Sequence, residues 1–306
     1  MPNDTVNSPY TLPVEVQLPQ YGIKTRLRRH ALDVMTKLSP RGTARMLARR
    51  HLTPSACFLA DLDRYSPEDI TQITVDGVTR LNFPALAKDN SPSGKRILIV
   101  PGLDGHFRQF LRLIRRLQTA GVTVDLLVLP GHLGPQRDMC SMRDIAESIH
   151  SVTRSHGPYD GVIAHCVGCN GTLFALKHCD LSPKLAFVST PVNLANLVRQ
   201  GGRQYGLDGR CLDTFVAEVS RLGAPYAIET PWDHMTANRS EDLLVVHARQ
   251  DWAVPFDDVT DIGDTWPGAK VQIYEHGEHN SILNVRSAIT EITSFMTSDI
   301  PTAANT

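Results

Sequence analysis

A cysteine stands at the centre of a segment whose residue types suit a covalent catalyst. The segment is GVIAHCVGCNGTLFAL, residues 161–176, in which Ala164 and Gly168 lie two residues before and two residues after Cys166. Where a buried strand turns sharply into a helix, the residue at the turn is exposed, and its neighbours at those two positions must be small to let strand and helix approach. The pattern therefore predicts a nucleophile elbow with Cys166 as the nucleophile.

In two later segments, a predicted strand is followed by a residue that could activate this cysteine. Asp251 follows the strand in LLVVHARQDWAVP, residues 243–255, and His279 follows the strand in VQIYEHGEHNSIL, residues 271–283. In a triad of these types, Cys166 attacks an acyl carbonyl as the thiolate, His279 carries the proton, and Asp251 holds the imidazole tautomer. The start of the helix after the elbow favours the thiolate, because helix N-termini stabilise negative charge.

Other residues near the predicted elbow are candidates for binding the substrate. The backbone N–H groups of Leu103 and Val167 are expected to stabilise an oxyanion, since Leu103 lies in the PGLDG loop after the first parallel strand. Four side chains are candidates for contact with the substrate, namely Asp104, His106, Trp232 and Trp252. The first two could equally be structural, and the two tryptophans could equally be core residues. His165 is expected to pack beneath the elbow, and no metal site or cofactor is predicted.

Short apolar runs alternate with amphipathic stretches over most of the chain. Strands are predicted at 96–100, 122–129, 161–164, 185–188, 243–248 and 270–274, and helices at 110–117, 142–156, 167–177, 256–265 and 281–296. Buried strands that alternate with helices indicate a parallel sheet. A hairpin over 74–83 precedes them, because Asp76-Gly77 is a strong signal for a two-residue turn. The predicted fold class is therefore α/β, with a mostly parallel central sheet and helices on both faces.

Two segments stand apart from this alternation. Residues 191–242 are helix-like and broken by prolines, and an insertion at this point lies above the carboxyl ends of the strands, which predicts a small helical lid. Residues 1–55 form a basic helical extension, and the core is expected to comprise residues 56–190 and 243–306. The basic residues over 24–52, set against Asp33 alone, are Lys24, Arg26, Arg28, Arg29, Lys37, Arg41, Arg45, Arg49 and Arg50. These helices are either solvated elements packed at the domain edge or a docking face for an acidic carrier protein or an anionic membrane.

The overall composition is that of an ordinary globular protein and argues against several classes. The 306 residues have a net charge of −1, which gives no reason to expect binding to nucleic acid. No apolar run is long enough to span a bilayer, and the N-terminal MPNDTVNSPY lacks the features of a signal peptide, so a cytoplasmic location is expected. The six cysteines are not spaced as a disulfide framework and are expected to be thiols.

The chain order nucleophile, acid, histidine distinguishes one hydrolase fold from the others. The sequence resembles the α/β-hydrolase superfamily from about Lys95 to the end, and is similar to bacterial members of it. The resemblance rests on this chain order, on the elbow and on the later segments LLVVH, WPGA and GEHNSIL. Members normally have serine at the position of Cys166, and often His-Gly where this chain has Pro101-Gly102. The resemblance implies an α/β-hydrolase fold with a small lid and acyl chemistry without a cofactor.

A cysteine at this position changes the expected reaction. An acyl-cysteine is itself a thioester, so acyl exchange from a thioester substrate is nearly isoenergetic, and thioesters react with amines and carbanions in preference to water. The main prediction is acyl transfer or cyclisation from a CoA- or carrier-protein-bound acyl chain, by analogy with cysteine-dependent acyltransferases, Dieckmann-type cyclases and polyester synthases. One alternative is a thioesterase or esterase of the same fold. The other, from a different class, is a non-catalytic or redox-sensing protein that uses Cys166 and Cys169.

Overall fold

The computed structural model describes residues 23–55, 57–66, 68–86, 94–134, 138–260 and 262–298, with side chains from residue 30 onward. The first 22 residues of the predicted basic extension lie outside the described residues, as do the side chains of Lys24, Arg26, Arg28 and Arg29. None of the helices in the described ranges combines the length and the hydropathy that a membrane-spanning segment requires.

Eight strands form one sheet in the order β1-β2-β4-β3-β5-β6-β7-β8. The strands are β1 (Thr71–Val75), β2 (Val78–Phe83), β3 (Arg96–Val100), β4 (Thr123–Val128), β5 (Gly161–His165), β6 (Lys184–Val188), β7 (Asp242–Ala248) and β8 (Lys270–Tyr274). β2 pairs antiparallel with both β1 and β4, and the other pairings are parallel. Asp76 and Gly77 form the predicted hairpin turn, and their φ angles of 50° and 77° have the positive sign that a tight two-residue turn requires. The mostly parallel sheet predicted from the sequence is thus confirmed.

Helices cover both faces of this sheet. In chain order they are α1 (Ile23–Leu38), α2 (Pro40–His51), α3 (Leu111–Thr119), α4 (Met142–His156), α5 (Val167–Ala175), α6 (Leu194–Gln204), α7 (Gly209–Leu222), α8 (Trp232–Thr236), α9 (Asp257–Thr260), α10 (Ile262–Thr265) and α11 (Arg286–Thr297). The apolar faces of α4 and α5 pack on one side of the sheet, and those of α3 and α11 pack on the other. Because both faces are covered, a central strand such as β5 is buried along its whole length and has a continuous apolar sequence.

A group of helices covers the carboxyl ends of the strands. α6 and α7 come from the stretch predicted as a lid, and α2 packs against α7. We call α2, α6 and α7 together the cap. Gly202 lets α6 approach α7 closely, since a Cβ at this position would lie 2.5 Å from Cδ1 of Leu212. The buried residues of α2 belong to the main apolar core. Helix α2 of the N-terminal extension is therefore part of the cap, and a docking role for its exposed basic face stays a prediction.

Two predicted helices are interrupted. The stretch 256–265 contains the short helices α9 and α10 on either side of residue 261. The helix predicted over 281–296 begins as a 3-10 turn, Ser281–Asn284, and Val285, with φ of −73° and ψ of 121°, separates this turn from α11. The Val285 side chain instead packs at Gly277, where a Cβ would lie 3.1 Å from Cγ2 of the valine. This contact supports the loop that carries His279.

Candidate active site

Cys166 lies at the sharp turn between β5 and α5. Its φ of 53° and ψ of −131° are values that an L-residue rarely adopts, and its N–H donates a hydrogen bond to the carbonyl of Val188 at 3.0 Å. Gly168 must be small, since a Cβ there would lie 2.6 Å from the carbonyl oxygen of Pro101. Gly102 also packs tightly against the turn, because a Cβ added at this position would lie 2.8 Å from the Cβ of Cys166. The backbone thus has the geometry of a nucleophile elbow, with a half-buried free thiol at its apex.

His279 and Asp251 form a pair beside this thiol. Nδ1 of His279 lies 2.9 Å from each of the two carboxylate oxygens of Asp251. A carboxylate can only accept, so Nδ1–H is the donor, and the other ring nitrogen is left available for the neighbouring Cys166. The structure therefore brings together the three side chains predicted as a triad, although they follow three different strands, β5, β7 and β8.

The ionisation states of His279 and Asp251 depend on their neighbours. Burial lowers the pKa of His279, but hydrogen bonds to Asp251 and Cys166 outweigh burial and raise this pKa to about 10. Burial raises the pKa of Asp251, while hydrogen bonds from His279 and from two backbone N–H groups hold this pKa below its usual value. The site therefore favours an imidazolium between a carboxylate and the sulfur. A cysteine nucleophile that acts as the thiolate requires this distribution of charge.

A short turn after β7 fixes the carboxylate of Asp251. The backbone N–H groups of Ala253 and Val254 both donate to Oδ1 at 2.9 Å. His247, a fully buried residue of β7, donates from Nε2 to the carbonyl of Val254 at 3.0 Å, and the same nitrogen lies 3.8 Å from Oδ2 of Asp251. Burial lowers the pKa of His247, so its ring is neutral. Sequence reasoning missed this histidine, and its only signal was a polar residue within the apolar strand LLVVHA.

The backbone carbonyl of His279 accepts two hydrogen bonds that the sequence did not indicate. Nε2–H of His165 donates to it at 2.9 Å, and the hydroxyl of Ser189 donates to it at 3.1 Å. Burial lowers the pKa of His165 to about 4, so this ring is neutral and its donor is available. His165 does pack beneath the elbow as expected, with its ring centroid 5.1 Å from that of His279. Its polar contact makes it a positioning residue for the base.

The predicted oxyanion donors lie on two adjacent segments beside the sulfur. Val167 is the first residue of α5, and N–H groups in the first turn of a helix have no partner within it. Leu103 follows Gly102, whose close approach to Cys166 brings the loop after β3 against the elbow. Leu103 and Val167 both line the cavity above the thiol. The placement fits the predicted donors, and their role in catalysis stays a prediction.

A cavity of about 280 Å³ lies above Cys166 and His279, beneath the cap. Of the four predicted substrate contacts, Asp104 and Trp252 line this cavity. Trp252 is 64 % exposed, and its ring centroid lies 5.4 Å from that of His279. The N-terminal extension also contributes, through His51 at the end of α2. Sequence reasoning missed this contribution, because no local pattern shows where an N-terminal helix will pack.

The other two predicted contacts lie outside the cavity. His106 caps the 3-10 helix Phe107–Phe110, and its ring accepts a hydrogen bond from the N–H of Arg108 at 3.1 Å. Trp232 is buried in the core and donates its indole N–H to the hydroxyl of Thr265 at 3.2 Å. Both side chains are occupied by local capping or packing. The prediction that they contact the substrate is therefore corrected to a structural role for each.

Cys169 is poorly suited to a redox pair with Cys166. Its side chain is fully buried, and its sulfur lies 3.9 Å from the carbonyl oxygen of Val188. Burial raises the pKa of this thiol well above its usual range, which makes it a poor nucleophile. Across the described ranges, no group of three or more His, Cys, Asp or Glu side chains is placed to hold a metal ion.

No family model and no curated protein matches this sequence. Many solved structures match its fold. An esterase from Exiguobacterium antarcticum is 14% identical, with coverage of 74% of this chain and 99% of the esterase and a TM-score of 0.56. Est1E from Butyrivibrio proteoclasticus is 16% identical, with coverage of 76% and 100% and a TM-score of 0.56. Bromoperoxidase from Bacillus anthracis is 13% identical, with coverage of 75% and 100% and the same TM-score.

Because every sequence identity is low, these structural similarities establish the fold alone. The chain therefore has the α/β-hydrolase fold, and its structural neighbours are members of the α/β-hydrolase superfamily.

Proposed function

We propose that this protein cleaves acyl esters or thioesters through an acyl intermediate on Cys166. The observation that carries the proposal is the position of His279, which hydrogen-bonds to Asp251 and interacts electrostatically with Cys166 at the base of a capped cavity. A buried histidine–carboxylate pair beside a free thiol serves no packing purpose, because burying charge is costly unless it is compensated. Strained backbone of the kind found at Cys166 clusters at functional sites.

The proposed reaction begins with attack of the Cys166 thiolate on the acyl carbonyl carbon. The carbonyl electrons move to the oxygen, which the N–H groups of Leu103 and Val167 stabilise. When the carbonyl re-forms, the bond to the leaving thiolate or alkoxide breaks, and that group takes the proton from His279. Neutral His279 then accepts a proton from the second nucleophile as this nucleophile attacks the acyl-cysteine and releases the thiolate. Asp251 keeps the imidazole in one orientation throughout.

Hydrolysis, with water as the second nucleophile, is the first form of this proposal. Proteins named as esterases and one named as a deformylase are among the similar structures. Transfer to an amine or carbanion is the second form. It is favoured by the nucleophile itself, because an acyl-cysteine retains the acyl potential of a thioester and reacts with water less readily than with those acceptors. Both forms share every step up to the acyl-enzyme.

An acidic carrier protein is the partner that fits the N-terminal helices in this proposal. Arg41, Arg45 and Arg49 recur every four residues on α2, and all three are exposed. The first turn of α2 contains no acidic residue. Because α2 belongs to the cap and its last residue lines the cavity, a carrier bound there would hold its acyl group close to the site. A cytoplasmic location agrees with six cysteines that are all free thiols.

The test compares the wild type with Cys166→Ala, and uses Cys169→Ala as the matched control. Each protein is assayed with a p-nitrophenyl ester and with an acyl-CoA, and products are separated with and without an added amine. The proposal predicts cleavage by the wild type and by Cys169→Ala, and none above background by Cys166→Ala. Free acid as the product identifies hydrolysis, whereas amide formation at the expense of free acid identifies transfer. Equal cleavage by Cys166→Ala would contradict the proposal.

A further inference from the structure

The side chains that line the cavity are of two chemical kinds. Apolar side chains from the core and the cap, which we call the apolar wall, include Cys140, Met142, Ile145, Val219 and Ile228. Polar side chains outside the catalytic residues, which we call the polar wall, include His51, Asp104, Gln200 and Gln204. The apolar wall suits an acyl chain, because burying apolar surface is favourable. A purely hydrocarbon ligand would leave the polar wall without hydrogen-bond partners, so this wall indicates a second, polar part of the ligand.

His51 is held rigidly on the polar wall. Its ring packs against Gly201 of α6, where a Cβ would come within 2.5 Å of the ring carbon Cε1. The imidazole also makes T-shaped contacts with two aromatic rings, and its centroid lies 5.4 Å from that of Phe215 and 6.2 Å from that of Tyr205. A glycine at position 201 therefore creates the space that the imidazole occupies. A side chain fixed in this way loses little conformational entropy when it binds a ligand.

The imidazole of His51 is neutral and unpaired. Burial lowers its pKa, and the charge of Asp104 only partly opposes this effect. Among the residues that the structure describes, neither ring nitrogen of His51 has a hydrogen-bond partner. A neutral imidazole presents one donor and one acceptor. A ligand in the cavity that forms hydrogen bonds with both nitrogens therefore gains affinity.

Asp104 adds a fixed acceptor to the same wall. Its carboxylate accepts a hydrogen bond from the N–H of Ser55, and its own N–H donates to Nε2 of His132 at 3.3 Å. The residue has a φ of 60°, so these contacts hold it in the left-handed region. The side chain remains exposed toward the cavity. The polar wall thus combines a carboxylate that accepts hydrogen bonds, an imidazole that has one donor and one acceptor, and the amide of Gln200.

We infer that His51, Asp104 and Gln200 bind the amide-bearing thiol arm of a thioester substrate, and that this arm is shared by CoA and carrier-protein thioesters. An amide offers one N–H donor and one carbonyl acceptor, which match the carboxylate and the imidazole of this wall. The acyl chain then lies on the apolar wall, with its carbonyl at Cys166. The inference rests on the proposed function, because it names the leaving group of the same reaction.

The experiment compares two thioesters of one acyl chain, the N-acetylcysteamine thioester and the pentanethiol thioester, in which methylene groups replace the amide. For the wild type, kcat/KM for the amide-containing thioester should exceed that for the other by about five- to tenfold, the size of one or two hydrogen bonds. His51→Leu should remove most of this preference. His178→Leu, the same change at an exposed histidine outside the cavity, should retain it. Gln200→Leu provides a second variant, and its preference should fall as well if His51→Leu does not fold.

The two levels of the proposal fail in different ways. If the wild type cleaves both thioesters equally well, or if His51→Leu and Gln200→Leu lower both rates by the same factor, the amide site is wrong and the proposed function stands. If neither thioester acylates Cys166 but the p-nitrophenyl ester does, the amide site is wrong and the proposed function stands; if none of the three acylates Cys166, both are wrong. Comparing acyl-CoA with the same acyl group on an acidic carrier protein then distinguishes the two sources of the arm, since only the carrier should lose rate on Arg45→Gln.

Discussion

Nε2 of His165 donates a hydrogen bond to the backbone carbonyl of His279 across 2.9 Å, so the residue before the nucleophile holds the chain of the base. The hydroxyl of Ser189 donates to the same carbonyl at 3.1 Å. His279 stands on a loop rather than in a regular element, and its ring could rotate or shift without these anchors. The elbow, the strand β6 and the base are therefore fixed to one another through a single oxygen atom.

Replacing His165 should weaken catalysis without removing the nucleophile. In His165→Phe the ring volume is kept and the donor is lost, and we expect kcat to fall about tenfold while KM changes little, because a small displacement of a base is costly. His165→Gln, whose amide can reach the same carbonyl, should recover part of the loss. A purely structural role would instead lower thermal stability in both variants and give no recovery of kcat by glutamine. Steady-state kinetics and thermal unfolding of the three proteins distinguish these outcomes.

The raised pKa of His279 should appear in the pH dependence of stability. The folded protein binds this proton more tightly than the unfolded chain, whose histidine has a pKa of about 6.5. The resulting stability is fully present below pH 6.5 and is lost as the pH rises toward the folded value of about 10. Between these limits the free energy of unfolding of the wild type should fall more steeply with pH than that of His279→Gln. Parallel curves from urea titrations would show that His279 is not protonated in the folded state.

Gly168 should be the less tolerant of two helical glycines. A Cβ at this position would lie 2.6 Å and 2.9 Å from the carbonyl oxygens of Pro101 and Val100, which are backbone atoms that cannot move aside. We expect Gly168→Ala to lower the free energy of unfolding by about 2 kcal/mol, as overpacking of a core does. Gly263→Ala in α10 is the control, because its Cβ would meet nothing within 4 Å and alanine favours a helix. Similar stability of the two variants in urea would rule out the close approach.

Alkylation should distinguish the two cysteines of the Cys-x-x-Cys sequence. Cys166 is half-buried and lines the cavity, whereas Cys169 is fully buried and has a raised pKa. Iodoacetamide on the native protein should therefore modify Cys166 and leave Cys169 unmodified until the protein is unfolded. Peptide mapping by mass spectrometry measures this. Rapid formation of a disulfide between the two thiols under mild oxidation would instead favour the redox-sensing alternative.

Features that depend on neighbours in the sequence could be predicted. The strand β5, the elbow and the hairpin turn at Asp76-Gly77 each follow from a short pattern, and the bounds of β3 to β8 agree to within one residue, whereas β1 begins three residues before the predicted hairpin. Asp251 and His279 could be found because each lies in the loop after a predicted strand, and parallel strands end at one edge of the sheet. A local rule was therefore enough to locate three side chains that are far apart in the sequence.

Features that depend on how distant segments pack could not be predicted. His51 lies in a helix whose own pattern shows only an apolar and a basic face, and its place in the cavity depends on a glycine at position 201. Trp232 and Trp252 have the same residue type, yet one is buried in the core and the other is exposed at the cavity. His106 looked like a binding residue because it lies near the oxyanion loop, but capping a helix satisfies it. In each case the tertiary environment decides the role.

The central claim is an acyl group bound to the sulfur of Cys166, and intact-mass spectrometry after rapid acid quench tests it most directly. Wild-type protein mixed with an acyl-CoA should gain the mass of one acyl group, and peptide mapping should place that group on Cys166. Cys169→Ala should behave in the same way, and Cys166→Ala should gain no mass. An acyl group found on another residue, or an equal mass gain in Cys166→Ala, would contradict the account.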